Sequence, residues 1–180
     1  MLLASNPEIG LKDGIYQDTS EPFRDSALSN DFSSAVLDLL AKATDKSLFS
    51  LDIEALANTL ELKSALASSQ FLFLQNFDLS AVNTVLDIAQ DYGGVAHFLA
   101  DSVGQIESLK IDSGLASIAA TRCANKHNVC HVSADLAKLK FAPNHYDLIV
   151  LGQLELLQLS SAVLTTLLKK LRASLSQRGV

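Results

Sequence analysis

The stretch "VLDIAQDYGGVAHFLA", residues 85–100, decides the fold of this chain. A short apolar run, Val85–Ile88, contains one acid, Asp87, and an apolar-periodic stretch begins at Gly93-Gly94. This order is typical of a strand, a tight turn and a helix. The turn reads Ala89-Gln90-Asp91-Tyr92, where a loop that cradles a phosphate or a nucleotide is expected to carry glycines. The stretch therefore predicts a strand–turn–helix unit and leaves open whether its turn binds a ligand.

From residue 81 onward, apolar runs of strand length alternate with helical patterns. The predicted strands are Thr84–Ile88, Ile106–Ile111, Asn128–Ser133 and Tyr146–Gly152, and the predicted helices are Gly93–Ser102, Ser113–Asn125 and Ser160–Ser174. Such alternation indicates βαβ units with right-handed crossovers. We therefore expect an α/β, Rossmann-like parallel sheet with helices on both faces. Ligands of such sheets bind at the carboxyl ends of the strands.

The first 80 residues have a different texture. Residues 1–30 are polar and turn-rich, contain Pro7 and Pro22, and predict a poorly ordered arm on the surface. Residues 31–80 show helical periodicity and predict a helical N-terminal region, with helix candidates at 52–62 and 64–77. The aromatic residues of the second candidate are expected to pack in the core; they are Phe71, Phe73 and Phe77. Residues 81–180 form the α/β core.

Composition excludes several classes of function. The chain has 180 residues, a net charge of −6 and 48% hydrophobic residues, which is ample for a packed core but gives no basic face for nucleic acid. It contains no apolar run long enough to cross a membrane. Two cysteines do not make a disulfide framework, so a reducing, cytoplasmic location is expected. We expect no metal site, because Cys130 and His131 are adjacent on a strand and point to opposite faces.

Three segments, read in order, carry a family resemblance. They are "NTVLDIAQDYGGVAHFLA" from residue 83, "IESLKIDSGLASIAATRC" from residue 106 and "NVCHVSADLAKLKFAPNHYDLIVLGQLELL" from residue 128. Together they resemble class I S-adenosylmethionine-dependent methyltransferases. The resemblance implies parallel strands ordered third, second, first, fourth, with the strand at residue 84 central. It implies S-adenosylmethionine as cofactor. The segment "SIAATRCANKHNV" also resembles a bacterial subgroup that accompanies glycosyltransferases, which implies a sugar or polysaccharide acceptor.

The family's cofactor-binding residues map onto this chain one by one. Asp87 corresponds to the acid that ends the first strand. Ala89 and Asp91 occupy the first two glycine positions of the following loop, and Gly93 occupies the third. Because side chains at those positions obstruct a close ligand and the positive φ that glycine allows, the pattern indicates a degraded loop. We expect Asp91, Tyr92 or both to fill part of the volume of the methionine moiety.

The second strand leaves two alignments open. Counting back from Ala119 places Lys110 at the position of the ribose-binding acid, and a lysine can donate hydrogen bonds but cannot accept them. A strand two residues longer would instead give that role to Asp112. Ala134-Asp135-Leu136 matches the adenine step, so Asp135 and Leu136 complete the candidate cofactor site. No catalytic residue can be assigned. Each of these positions also has a structural interpretation, as a helix cap, a turn residue or a close-packing glycine.

Two functions follow as hypotheses. The first is an S-adenosylmethionine-dependent methyltransferase domain with a degraded cofactor site, acting on a small molecule or a sugar. The alternative is a non-catalytic scaffold or interaction module that keeps the fold. The family has seven strands, so the chain is expected to be truncated before the fifth. An open edge at residues 148–151 would then be covered by the N-terminal segment, by a second copy in a homodimer or by a downstream domain.

Overall fold

A computed structural model of the chain describes residues 2–12, 14–18, 73–111, 113–152 and 159–180. The described strands are β1 (Ile9–Lys12), β2 (Ile15–Asp18), β3 (Thr84–Asp87), β4 (Gln105–Lys110), β5 (Val129–Ser133) and β6 (Leu148–Val150). The described helices are α1 (Leu2–Ser5), α2 (Gly94–Leu99), α3 (Ser113–Arg122) and α4 (Ser161–Ser174). From residue 84 onward, every predicted strand and helix is present, with ends that differ by a few residues.

The six strands form one sheet in the order β1-β2-β5-β4-β3-β6. Pairing is parallel throughout except between β1 and β2, which form an antiparallel hairpin. The four strands predicted from the sequence therefore lie in the order third, second, first, fourth, with β3 between β4 and β6. This confirms both the predicted order and the α/β, Rossmann-like fold.

Helices cover both faces of the sheet, and each face has its own apolar core. Helix α4 packs Leu167 and Leu171 on the face that carries Leu86, Leu109 and Val132. Helix α2 packs Val95, Ala96 and Leu99 on the opposite face, where alternate residues of the same strands point. Strands buried on both sides explain the nearly continuous apolar runs in the sequence.

The N-terminal residues differ from the prediction. Residues 2–5 form a short helix and residues 9–18 a hairpin whose second strand extends the sheet beside β5. For the described residues of the segment 1–30, the prediction of a poorly ordered arm is therefore wrong. Strands of four residues with mixed polarity give little periodicity, and the hairpin is stabilised by pairing with β5, which lies more than 100 residues away in the sequence.

A buried carboxylate anchors this N-terminal segment. Glu107 is 2% exposed, and its two carboxylate oxygens accept the backbone N–H of Leu2 at 2.9 and 3.1 Å. The hydroxyl of Tyr146 donates to the same carboxylate, and burial together with the charge of Glu107 raises the pKa of that hydroxyl. Asn6, fully buried, bonds the backbone of Lys140 in both directions. The segment is thus attached to the sheet through buried polar groups.

The predicted helical region 31–80 lies mostly outside the described residues, as do both helix candidates except for residues 73–77. Residues 73–76 form a single 3₁₀ turn. Leu74 is buried, but Phe73 and Phe77 are 51% and 48% exposed. For these two aromatic residues, the expectation of core packing is wrong, because the short turn directs Leu74 inward instead. Phe71 lies outside the described residues.

The edge beside β6 is not bare, and among the described residues it is not the N-terminal ones, 2–12 and 14–18, that pair with it. The N-terminal hairpin lies at the opposite edge of the sheet. After α4 the chain turns back beside β6: Ser176 N–H donates to Tyr146 at 2.8 Å, and Ile149 N–H donates to Val180 at 2.8 Å. Val180 N–H in turn donates to Asp147 at 3.0 Å. The expectation that residues 148–151 lack any backbone partner on this side is therefore wrong at Ile149.

Replacing Glu107 with alanine should lower the free energy of unfolding by about 2–4 kcal/mol, because two buried donors lose their acceptor. Tyr146→Phe is the matched control, since it removes one donor and leaves the carboxylate on Leu2; its loss should be smaller, about 1–2 kcal/mol. Urea denaturation measures both values, and hydrogen exchange should show lost protection at residues 2–12 in Glu107→Ala. An alanine variant as stable as the parent would show that the carboxylate does not anchor the segment.

Candidate functional site

The candidate site lies at the carboxyl ends of β3 and β4, where the sequence predicted it. Asp87 is the last residue of β3 and Lys110 the last residue of β4. Asp112, the alternative ribose-binding residue, lies outside the described residues. The loop from Ala89 to Gly93 runs from β3 into α2 and is buried along its whole length.

The ammonium group of Lys110 joins three of the predicted site residues. Its Nζ lies 3.1 Å from Asp87 Oδ2 and 2.8 Å from Asp91 Oδ1, and it donates to the carbonyl of Ala89. Lys110 and Asp87 are 0% exposed and Asp91 is 3% exposed. The ammonium has three N–H donors, and these acceptors account for all of them. The structure thus brings Asp87, Ala89 and Lys110 together around a charge that belongs to the chain itself.

Asp87 and Asp91 also fix the backbone of the loop. Asp87 Oδ1 accepts the N–H of Ala89 at 3.0 Å, and its Oδ2 accepts the hydroxyl of Ser108 at 2.9 Å. Asp91 accepts the N–H of Gly93 at 3.1 Å and the N–H of Val95 at 2.9 Å. An acid that accepts the free N–H groups at a helix start satisfies donors that have no partner inside the helix. The N-cap position of α2 is Gly93, which has no side chain, and the carboxylate of Asp91 supplies the capping acceptor instead.

The charges of this cluster are mutually dependent. Burial raises the pKa of the Asp87 carboxyl, against the charge of Lys110. Burial acts in the same sense on Asp91, but the charge and hydrogen bond of Lys110, the N–H of Val95 and the charge of Arg122 together lower the pKa of that carboxyl. Burial opposes the charge of Lys110, and the two carboxylates together raise the pKa of its ammonium. The cluster is thus held by one cation facing two acids in a medium of low dielectric constant.

Gln90 closes the gap between the two strand ends. Its side-chain amide donates to the carbonyls of Ile88 at 2.9 Å and Leu109 at 3.3 Å, and its carbonyl accepts the N–H of Ile111 at 3.0 Å. Gln90 is 2% exposed and Tyr92 is 8% exposed. The Gln90 side chain therefore already forms hydrogen bonds with backbone groups of Ile88, Leu109 and Ile111 at this edge of the sheet, which are groups that a ligand could otherwise reach.

Gly93 is the N-cap residue immediately before α2 and lies against Ala119 of α3. Its φ is +79°, in the left-handed region that favours glycine, and a Cβ there would lie 2.7 Å from the Cα of Ala119. This glycine therefore serves a backbone conformation and the close approach of two helices. Both requirements hold whether or not a ligand is bound, so a glycine at this position is explained by packing and backbone conformation alone.

The predicted adenine-step residues lie apart from this cluster. Asp135 is exposed and accepts the N–H of Ala137 at 2.9 Å, the arrangement of a turn residue. Leu136 is 1% exposed and packs in the core beneath α4. It also lines an open cavity of about 270 Å³ whose wall includes Val163 and Lys170 of α4.

Next to the cluster, β5 contributes two buried polar residues. His131 faces Ser108 and Ser133 faces Lys110 in the strand register, so their side chains share the face of the cluster. His131 is 7% exposed and Ser133 is 0% exposed, and neither side chain has a hydrogen-bond partner among the described residues. Burial, together with the charge of Lys110, lowers the pKa of His131 to about 4.

Sequence reasoning missed Ser108, Gln90, His131 and Arg122. Arg122 is 5% exposed and donates to the carbonyl of Tyr92 at 3.4 Å. A signal for the strand residues was present: Ser108 and Lys110 in β4, and His131 and Ser133 in β5, are polar at alternate positions. A parallel strand buried on both faces is expected to be apolar throughout, so this alternation marks one polar face.

Comparisons with known proteins agree with this geometry. The sequence model of the family described as a methyltransferase domain matches residues 85–179, just over half of the chain. No curated protein matches the sequence. No helix among the described residues is long and apolar enough to span a bilayer.

Solved structures with a similar fold include several methyltransferases. An S-adenosylmethionine-dependent methyltransferase from Leishmania major has a TM-score of 0.55 at 16% identity, covering 82% of this chain and 58% of its own. Phosphoethanolamine N-methyltransferase 1 from Haemonchus contortus, solved with phosphoethanolamine and S-adenosylhomocysteine, has a TM-score of 0.55 at 18% identity, covering 83% of this chain and 31% of its own. The N-methyltransferase NodS from Bradyrhizobium japonicum, solved with S-adenosylhomocysteine, has a TM-score of 0.53 at 16% identity, covering 82% and 69%. This chain thus spans less than two thirds of the first two.

Substituting alanine at Gly93 should destabilise the protein by about 2–4 kcal/mol, because a left-handed conformation and a clash with Ala119 act together. Gly14→Ala is the matched control: its φ is +78°, but apart from its chain neighbours no atom of the described residues lies within 4 Å of the added Cβ, so we expect only the backbone strain of about 1 kcal/mol. Thermal and urea denaturation give both values. Equal losses in the two variants would contradict the helix contact described here.

Stability should fall as the pH drops from 6.5 to 4, because His131 stays neutral in the folded state while the unfolded chain takes up a proton. His97 adds a second share, since burial, then the charge of Arg122, lowers its pKa to about 4. His131 accounts for up to about 3 kcal/mol at pH 4, and the share of His97, which is only partly buried, is smaller because solvent screens its charge. His131→Leu should flatten this pH dependence in urea titrations at several pH values. An unchanged slope would show that His131 is accessible to protons in the folded protein.

Proposed function

Because the chain belongs to the methyltransferase domain family, we propose that it is a member whose S-adenosylmethionine site is closed by its own side chains. In this proposal the domain is non-catalytic and acts as a scaffold or interaction module. The observation that carries the proposal is the buried cluster of Lys110 with Asp87 and Asp91. This cluster lies in the loop that binds the cofactor in the family.

The residues present do not fit the cofactor. Two of the three glycine positions carry side chains, and that of Asp91 is turned into the cluster, where it caps α2. Lys110 stands where the family has an acid for the ribose hydroxyls, and a lysine has no acceptor to offer them. The carbonyl of Ala89 and the backbone around Gln90 are bonded internally. We therefore derive no methyl-transfer step for this chain.

Binding would need several buried interactions to break together. A ligand that reaches the loop must separate Lys110 from two carboxylates, and breaking a buried ion pair typically costs about 3–5 kcal/mol. That cost alone lowers an affinity by a factor of roughly 10² to 4 × 10³. We include a cytoplasmic location in the proposal, supported by two cysteines that are both free thiols, Cys123 and Cys130.

The second candidate function is an active S-adenosylmethionine-dependent methyltransferase with an unassigned small-molecule or sugar acceptor. It is favoured by the retained positions of Asp87 and Gly93 and by the intact order of the four central strands. It requires a second conformation in which Lys110 leaves the loop.

Calorimetric titration of the full chain with S-adenosylmethionine and with S-adenosylhomocysteine separates the two candidates. We expect no saturation below about 1 mM, which corresponds to less than ~4 kcal/mol of binding free energy. The triple variant Ala89→Gly, Asp91→Gly, Lys110→Asp is the matched gain-of-function protein. It removes the internal cation and both loop side chains, and once circular dichroism shows that it is folded, it should bind more tightly than the parent. Saturation of the parent at micromolar ligand would overturn the closed site.

A further inference from the structure

The segment from Asp87 to Asp91 surrounds a primary ammonium group with three acceptors. These are one oxygen of each carboxylate, at 3.1 and 2.8 Å from Nζ, and the carbonyl of Ala89. All three belong to a stretch of five consecutive residues, whereas the ammonium comes from β4, a neighbouring strand. The number of acceptors matches the three N–H donors of an ammonium ion.

The acceptors are held in place without help from Lys110. Ser108 and the N–H of Ala89 orient the Asp87 carboxylate, and the N–H groups of Gly93 and Val95 orient the Asp91 carboxylate. Each acid therefore has one oxygen directed toward the same point. Burial, and with it the charge of Asp91, raises the pKa of the Asp87 carboxyl, so a cation between the two acids is needed for both to be ionised.

We propose that residues 87–91 form a binding site for a primary ammonium ion and that Lys110 occupies this site as an internal ligand. The inference rests on the proposed function and extends it. In this inference the loop has not only lost its glycines but also binds a cation, the ammonium group of Lys110. When the lysine amine is removed and space is left, the site accepts a free alkylammonium ion of similar length.

The test compares Lys110→Ala, which leaves space, with Lys110→Met, which fills the space without a charge. Thermal unfolding of the full chain is measured with n-propylammonium chloride, potassium chloride or tetramethylammonium chloride at equal concentrations. Lys110→Ala should melt about 10 °C below the parent, as expected for a buried ion cluster that loses one partner. Propylammonium should raise the melting temperature in a concentration-dependent way, since a ligand that binds only the folded state stabilises it.

Specificity decides the outcome. Potassium has no N–H donor, and tetramethylammonium has neither an N–H donor nor room at the acceptors, so neither should match propylammonium. Lys110→Met should show no response to the amine beyond that of the parent. Hydrogen exchange at Gly93 and Val95 should slow when propylammonium is added to Lys110→Ala, which locates the effect at this loop. If the alanine variant does not fold alone, refolding yield with and without propylammonium gives the same comparison.

Three results would overturn the proposal. They are an alanine variant as stable as the parent, equal rescue by potassium or tetramethylammonium, and no rescue by the primary amine. None of these depends on S-adenosylmethionine binding to the parent protein. Micromolar binding of that cofactor would overturn the closed site while leaving the ammonium site to be decided by the amine experiment.

Discussion

The ammonium of Lys110 between Asp87 and Asp91 is the interaction on which this end of the molecule depends. A lysine that is 0% exposed must have its charge compensated, because an isolated buried ion is too costly to keep. The two acids come from the central strand and from the loop that starts α2, and the cation comes from the adjacent strand. One cluster therefore fixes the carboxyl ends of two strands and the start of a helix.

If Asp91 and Lys110 occupy the family positions that the resemblance implies, these two departures from the family pattern are physically one change. An acid in place of a glycine would bury an uncompensated negative charge, and a lysine in place of an acid would bury an uncompensated positive one. Together, Asp91 and Lys110 neutralise each other at 2.8 Å. Each substitution is costly alone, and the pair is compatible with a fully packed interior. This coupling explains how the loop can lose its glycines while the surrounding helices keep their positions.

A second buried carboxylate organises the opposite face of the same strand. Glu107 accepts hydrogen bonds from the backbone N–H of Leu2 and from the hydroxyl of Tyr146. These bonds attach the N-terminal helix to the sheet, which the N-terminal hairpin extends. Strand β4 therefore carries a charged residue on each face: Lys110 toward α2 and α3, and Glu107 toward α4. Both charges are stabilised by specific partners, which restricts the register of this strand more tightly than apolar packing would.

The sequence by itself determined the alternation of strands and helices after residue 81, because periodicity and turn residues are local properties. With the family resemblance, it also determined the parallel order of four strands, and it placed a candidate site at Asp87, Ala89, Gly93 and Lys110. It could not determine that Lys110 turns into the loop, since this depends on carboxylates about 20 residues away whose distance only packing sets. The N-terminal hairpin was missed for the same reason: its short strands carry little periodicity and are stabilised by a partner strand more than 100 residues away. Tertiary structure thus decided which charges meet: Lys110 pairs with Asp87 and Asp91 because packing brings the ends of two strands and the start of a helix together.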